Sequence, residues 1–119
     1  MIRRLAVLGI AALVLAWGAT AFAEDAAAIE KGKAVYGEAK PPCKTCHSIA
    51  GVGNAKGALD DVGSKLKDHE IKEWIRDPKK MTEKANATRK PPMMAYPKEK
   101  LSDQDVDALA AYLASLKKK

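Results

Sequence analysis

Residues 43–47 read Cys43-Lys44-Thr45-Cys46-His47 and hold both cysteines of the 119-residue chain and one of its two histidines. A disulfide between Cys43 and Cys46 would close a loop too short to restrain much of the unfolded chain. The C-x-x-C-H spacing is instead typical of covalent haem attachment, in which two thiols add to the haem vinyl groups and the adjacent imidazole binds the iron. The stretch therefore predicts one covalent haem c held by Cys43, Cys46 and His47.

Two other uses of a C-x-x-C pair do not fit the rest of the sequence. A thioredoxin-like dithiol opens a helix after a strand, and no segment here alternates apolar and polar residues as strands do. A structural zinc ion needs four ligands, and His69 is the only imidazole besides His47. Haem attachment is the reading that remains.

The N-terminal segment has the features of a secretory signal peptide. Arg3 and Arg4 precede an apolar run that ends in the small residues of Ala21-Phe22-Ala23. We expect cleavage after Ala23, which makes residues 1–23 a signal peptide and residues 24–119 a periplasmic domain, with an uncleaved membrane anchor as the alternative. Loss of the two arginines lowers the net charge from +6 to +4.

Three helices are predicted in the domain, because apolar residues recur at three- and four-residue spacing. The first covers Glu24 to Glu38. The second is capped by Asp68 and stopped by Pro78, since proline cannot continue a helix. The third follows Ser102 and carries acidic residues in its first turns, where they complement the helix dipole.

The stretches between these helices are predicted to be irregular loops. Residues 43–62 are rich in glycine, and residues 79–100 contain three prolines and three methionines. Three short helices with such long loops cannot enclose a core from their own side chains, so the loops need a centre to pack against. We therefore expect an all-α protein wrapped around the haem.

Residues 26–116 resemble the monohaem class I cytochromes c, including mitochondrial cytochrome c, in stretches that follow the order of that family's elements. The resemblance implies the cytochrome c fold, with three main helices and long loops around one haem and with the first and last helices crossing at Gly32. The stretches that carry it are Glu30–Lys33 with Val35-Tyr36, Glu73–Lys80, Met94–Tyr96 and Leu109–Leu113.

The same resemblance implies further haem-site residues. It places Trp74 and Tyr96 against the haem, and it gives the backbone carbonyl of Gly57 the task of orienting the His47 ring. The family commonly has Gly-Pro where this chain has Lys56-Gly57, so the carbonyl here sits on a looser backbone.

The sixth iron ligand is expected to be a methionine, since a thioether suits an electron-transfer haem. Met94 matches the family by its distances to Tyr96 and to Leu101, whereas Met93 matches a different family pattern with the aromatic residue three positions on. We expect Met94 as the ligand, with Met93 as the alternative. Met81 is expected to fill the core, and His69 is expected to be solvated.

These features predict an exported monohaem one-electron carrier that is not an enzyme and is monomeric. Redox partner proteins are expected. Several lysines would border the haem edge in this fold, where they either dock partners with acidic surfaces or form an ordinary solvated face. Nucleic-acid binding is not supported, since aromatic residues are few, and no membrane span remains after signal cleavage. The lysines are Lys40, Lys44, Lys56, Lys90, Lys98 and Lys100.

A free electron carrier has three alternatives, namely a haem enzyme, a gas sensor and a permanent subunit of a larger enzyme. A peroxidase-like haem enzyme needs acid-base groups above the iron, and residues 91–97 offer Tyr96 but no His, Glu or Arg. A four-helix gas sensor carries its attachment motif near the C-terminus, unlike this chain. A permanent cytochrome subunit of a larger oxidoreductase is compatible with the sequence.

Overall fold

The computed structural model describes residues 19–118, and the elements within them are mostly helical. The two strands form one short antiparallel hairpin, with Ile49 opposite Val52. The all-α prediction is confirmed. In chain order the elements are α1 (Ala19–Gly37), α2 (Cys43–Cys46), β1 (Ser48–Ile49), β2 (Val52–Gly53), a 3-10 turn (Ala55–Gly57), α3 (Val62–Lys65), α4 (Asp68–Arg76), α5 (Pro78–Ala85) and α6 (Asp103–Ala114).

Helix α1 reaches the N-terminal limit of the described residues. It ends at Gly37, one residue before the predicted end, and it begins at Ala19, inside the stretch assigned to the signal peptide. Residues 1–18, which hold most of that predicted signal peptide, lie outside the described residues. Within residues 19–118 none of the helices combines the length and the apolar content of a membrane span.

The core lies where α1 and α4 pack against α6. Helix α6 contributes the largest share, because its apolar residues recur at helical spacing along one face. Full burial of each such side chain contributes about 1.5–3 kcal/mol relative to exposure. The buried cluster consists of Val35, Tyr36, Ile71, Ile75, Leu101, Val106, Leu109, Ala110, Tyr112 and Leu113.

The crossing of α1 and α6 depends on Gly32, as the family resemblance implied. A Cβ atom added at Gly32 would collide with the backbone carbonyl of Ala108 and lie 2.7 Å from the Cβ of Tyr112. The absence of a side chain therefore lets the two helix backbones touch. This contact joins the first and last helices of the described chain.

The prediction of an irregular loop over residues 79–100 is wrong for its first part. Pro78 ends the preceding helix but also begins α5, because proline is compatible with the first helical position, where no backbone N–H is required. The Asp77 carboxylate caps the new helix by accepting from Lys80 N at 3.3 Å. The helix ends at Asn86, which adopts a left-handed conformation with φ of 50°.

Two smaller predictions are also corrected. Asp68 is the first residue of α4 rather than its cap, and the Glu70 carboxylate accepts from Lys67 N at 2.7 Å. Residues 43–62 contain the hairpin and two short helices, whereas a loop without strands was expected. Each of these strands is two residues long, too short for an alternating pattern to be visible. Ser102 caps α6 as predicted, by accepting from Asp105 N at 3.1 Å.

The C-terminal tail is tied to the loop that follows the hairpin. Gly63 N donates to Leu116 O at 2.8 Å, and Lys118 N donates to the Asp61 carboxylate at 2.7 Å. The bond from Lys118 N, and after it one from the Ser64 side chain, hold the pKa of Asp61 below its ordinary value. The end of the described chain is thereby fixed beside α3.

Candidate haem site

Both cysteines lie on one helical turn, α2, which begins after Pro42. Their thiols are free, with Cys43 half-buried and Cys46 exposed. Burial raises the pKa of the Cys43 thiol. His47 follows in an extended conformation, and its backbone N–H donates to Cys43 O at 3.0 Å, which closes the turn. Two thiols and one imidazole are therefore presented within five consecutive residues.

The ring of His47 is oriented by a backbone carbonyl. His47 is half-buried, and its Nδ1 donates to Gly57 O at 3.0 Å, which is the contact that the family resemblance implied. Burial lowers the pKa of His47 and so favours the neutral imidazole. With the proton on Nδ1, Nε2 carries the free lone pair that a metal ion requires.

Gly57 is held close to the attachment turn. A Cβ atom at Gly57 would collide with Cys46 O and lie 2.9 Å from His47 Nδ1. A side chain there would push the carbonyl away from the imidazole. In this structure the close approach of residue 57 to Cys46 and His47 therefore depends on glycine.

The adjacent methionines differ in their surroundings. Met93 is half-buried and packs against the core cluster, whereas the side chain of Met94 is 63% exposed. The other two sequence candidates lie on helices α5 and α4. Met81 is buried in α5 at 5% exposure, and His69 is exposed at the start of α4.

Trp74 and Tyr96 have different surroundings. Trp74 is half-buried on α4 and lines a groove of about 400 Å³ with Leu66 and Met81. Tyr96 is half-buried against the core cluster, and burial raises the pKa of its phenol. Its backbone N–H donates to Ile75 O at 3.0 Å, so the end of the methionine segment is attached to α4.

Arg76 strengthens that attachment. Its guanidinium donates to Tyr96 O at 2.8 Å and to Leu101 O at 2.6 Å, and it pairs with the Asp103 carboxylate at 2.7 Å. The sequence alone does not indicate this role. An arginine beside a helix end is common, and its partners lie 20 or more positions away.

The described residues fit a covalent haem. The donor set combines two free thiols, an imidazole with a free Nε2 and the thioethers of Met93 and Met94, which are the donor types that c-type attachment uses. Tyr36 supplies a second observation. Among the described residues its hydroxyl is buried without a hydrogen-bond partner, and burial raises its pKa to about 12. Such a group is expected to gain a partner when a cofactor fills the neighbouring space.

A helical domain with a C-x-x-C-H turn and a carbonyl-oriented histidine is characteristic of the single-haem c-type cytochromes. Comparison with family models agrees, since the model described as Cytochrome c matches residues 29–117. The chain belongs to the cytochrome c family. That family carries one covalent haem c, with which Cys43 and Cys46 are consistent, and a cytochrome c domain is typically an electron carrier located outside the cytoplasm.

One curated relative is also similar. The chain is 34% identical over 96 residues to cytochrome c oxidase subunit 2 of Alkalihalophilus pseudofirmus (strain ATCC BAA-2126 / JCM 17055 / OF4). The alignment covers 73% of this chain and 25% of that protein, so the chain spans about a quarter of the relative's length. Comparison with solved structures gives no significant match.

Proposed function

We propose that this chain is an exported carrier that passes one electron at a time between protein partners. The observation that carries the proposal is the hydrogen bond of His47 Nδ1 to Gly57 O beside two free thiols. This arrangement leaves Nε2 free and fixes the direction in which it points. When bound, haem supplies an iron that alternates between two oxidation states one electron apart.

The proposal assigns a task to each site residue. Cys43 and Cys46 hold the haem through thioether bonds, and His47 is the proximal ligand that Gly57 orients. Met94 is the proposed distal ligand on its spacing in the sequence, and Met93 is the alternative that its packing against the core supports. Two further residues, Trp74 and Tyr96, exclude water from the site.

The residues of the methionine segment, 91–97, favour a carrier over a haem enzyme. Residues 91–97 contain prolines, methionines, one alanine and Tyr96, none of which is an efficient proton donor or acceptor near neutral pH. The pKa of the Tyr96 phenol is raised by burial, which makes it a poorer acid still. The segment is therefore suited to holding a ligand and keeping water out.

The proposed partners are proteins with acidic docking surfaces. Most of the lysines named in the sequence analysis are exposed, and Lys44 is half-buried in the attachment turn. Lys98 pairs with Asp103 at 3.0 Å, so its charge is partly compensated. The remaining positive charge would speed encounter with an acidic partner and lose this effect as salt screens it.

We propose that residues 1–23 are removed on export and that residues 24–119 act in the periplasm. Expression of the full chain in a bacterium that matures c-type haem proteins tests both parts. The periplasmic fraction should contain a haem-staining chain that begins at Glu24, with a low-spin spectrum. A chain that retains Met1 in the membrane fraction would favour the anchored alternative.

A permanent subunit of an oxidase is the second candidate function, and the similarity to cytochrome c oxidase subunit 2 favours it. A free carrier should elute as a monomer and transfer electrons with a rate constant that falls with ionic strength. A permanent subunit should instead copurify with an oxidase in constant ratio, even at high salt.

A further inference from the structure

The segment between α5 and the methionine pair is connected to the attachment turn by one side chain, Arg89. Its Nη2 donates to Cys46 O at 2.6 Å. The described hydrogen bonds of Asn86 and Ala87 return to α5, and the next bond to another element is made by Tyr96. In the described part of the chain, Arg89 therefore makes the hydrogen bond that joins residues 88–95 to the rest of the domain.

The guanidinium lies on the same side of the attachment turn as the His47 ring. The space in which a Cβ of Gly57 would stand is bordered by Arg89 Nη1, Cys46 O and His47 Nδ1. Arg89 therefore packs over the α-carbon of Gly57, beside the hydrogen bond that orients the imidazole.

A fixed cation at this position has two physical effects. It holds the carbonyl of Cys46 and restricts the backbone of Gly57, on which the direction of the imidazole depends. Its charge also disfavours additional positive charge nearby and so stabilises the reduced iron relative to the oxidised iron. Arg89 is exposed, so solvent and salt weaken the second effect.

We propose that Arg89 is a positioning residue for the proximal side of the haem site, fixing the Cys46 and Gly57 backbone around His47 and favouring the reduced state by its charge. This inference rests on the proposed function, in which His47 is the proximal ligand. The sequence does not indicate it, because Arg89 lies 43 positions from its partner in a polar stretch.

The test compares three variants of the haem-loaded full chain. Arg89→Gln removes both the charge and the planar two-nitrogen donor, and Arg89→Lys keeps the charge but replaces the planar donor with a compact ammonium group. Lys90→Gln is the matched control, since it removes the same charge one residue away. For each variant the midpoint potential is measured at low and high salt, and the ring-proton shifts of His47 are recorded by NMR in the oxidised state.

Arg89→Gln should lower the midpoint potential by an amount equal to about a twofold to fivefold change in the reduction equilibrium constant at low salt. It should also move the His47 ring-proton shifts. Lys90→Gln should change the potential less and leave those shifts in place. Arg89→Lys should recover most of the potential without restoring the shifts.

If Arg89→Gln and Lys90→Gln change the midpoint potential and the His47 ring-proton shifts equally, the inference is overturned, because the loss of any surface charge would then explain both results. Full recovery of the shifts in Arg89→Lys would overturn the positioning role. All of these comparisons start from a wild-type protein with covalent haem and a low-spin spectrum. If the wild-type chain lacks covalent haem or that spectrum, the proposed function fails. Failure of the proposed function is therefore distinguishable from failure of the Arg89 inference.

Discussion

Gly32 of α1 faces the backbone carbonyl of Ala108 in α6 so closely that no side chain fits between them. The contact brings the backbones of the first and last helices together. Each helix would be marginal in isolation, since short helices are stabilised mainly by packing. The glycine therefore sets the separation on which the rest of the core depends.

Gly32→Ala should destabilise the protein by about 1–3 kcal/mol, because the added methyl group forces the two helices apart. This loss would appear despite the gain of about 0.5–1 kcal/mol that alanine normally gives inside a helix. Denaturant unfolding of the haem-loaded protein measures the difference. Gly37→Ala is the control, since nothing lies within 4 Å of its added Cβ, and it should be neutral or stabilising.

The two adjacent methionines are separated by single substitutions. If Met94 is the distal ligand, Met94→Ala should abolish the methionine-to-iron charge-transfer band and lower the reduction potential, whereas Met93→Ala should keep the band. Near-infrared absorption of the oxidised protein decides between them. The reverse result would identify Met93 as the ligand, in agreement with its burial against the core.

Met81→Ala serves as the control for that pair, because Met81 is buried in α5. It should preserve the band and the potential while lowering the free energy of unfolding by about 2 kcal/mol. Loss of the band in this variant would show that the distal ligand lies outside the methionine pair.

Removal of both attachment thiols should prevent folding as well as haem binding. The Cys43→Ala/Cys46→Ala variant should give no haem stain after denaturing electrophoresis and should lose most of its helical circular dichroism, because the long loops then lack a packing centre. Thr45→Ala alters the same turn but retains both thiols, and it should keep haem and helicity. Native helicity in the double variant would contradict the prediction.

The Asp103 carboxylate should contribute to stability in a pH-dependent way. Hydrogen bonds from Lys98 and then from Arg76 lower the pKa of Asp103 in the folded state. Its contribution is therefore complete above the unfolded pKa of about 3.9 and is lost as pH falls through the lower folded pKa. Because the carboxylate is exposed, the effect should be small and should weaken with salt.

Unfolding measured from pH 7 down to pH 2 tests this prediction. Asp103→Asn should be less stable than the wild type near neutral pH, and the difference should disappear at the acid end. Glu99→Gln removes a carboxylate from the same stretch, for which no ion pair is described. If both variants lose the same free energy of unfolding at every pH, the ion pairs of Asp103 do not cause the pH dependence.

The sequence was sufficient to predict those elements and residues that a local rule or a strong motif determines. The Ser102 cap and the acidic first turn located α6, and the attachment motif identified Cys43, Cys46 and His47 as candidate haem-site residues, although not the helical turn that carries them. The crossing at Gly32 was implied by the family resemblance, and a close contact there accounts for a glycine that is otherwise unfavourable inside a helix. Each of these features depends on residues that are close in sequence or on one strong motif.

The sequence prediction lacks α5 because Pro78 was interpreted only as the end of the preceding helix. Pro78 does end α4, but Asp77 before it is also a good cap for the helix that follows. The signal was therefore present in the sequence. A proline preceded by aspartate should be tested as a start as well as an end.

The contacts of Arg76 and Arg89 could not be predicted in this way. Both arginines donate to backbone carbonyls, which every residue possesses, so their partners leave no trace in the sequence. The different exposure of Met93 and Met94 has a similar origin. The direction of each side chain depends on how Arg76 and Ile75 hold the chain at Tyr96.

The bonds of Leu116 and Lys118 to Gly63 and Asp61 also set an order of events during folding. These partners lie far apart in sequence, so the loop between them closes only after the last helix has been synthesised. These long-range bonds therefore form late, whereas the bond from His47 N to Cys43 O closes the attachment turn within five consecutive residues. The turn that presents both thiols can thus form before the C-terminal tail is fixed beside α3.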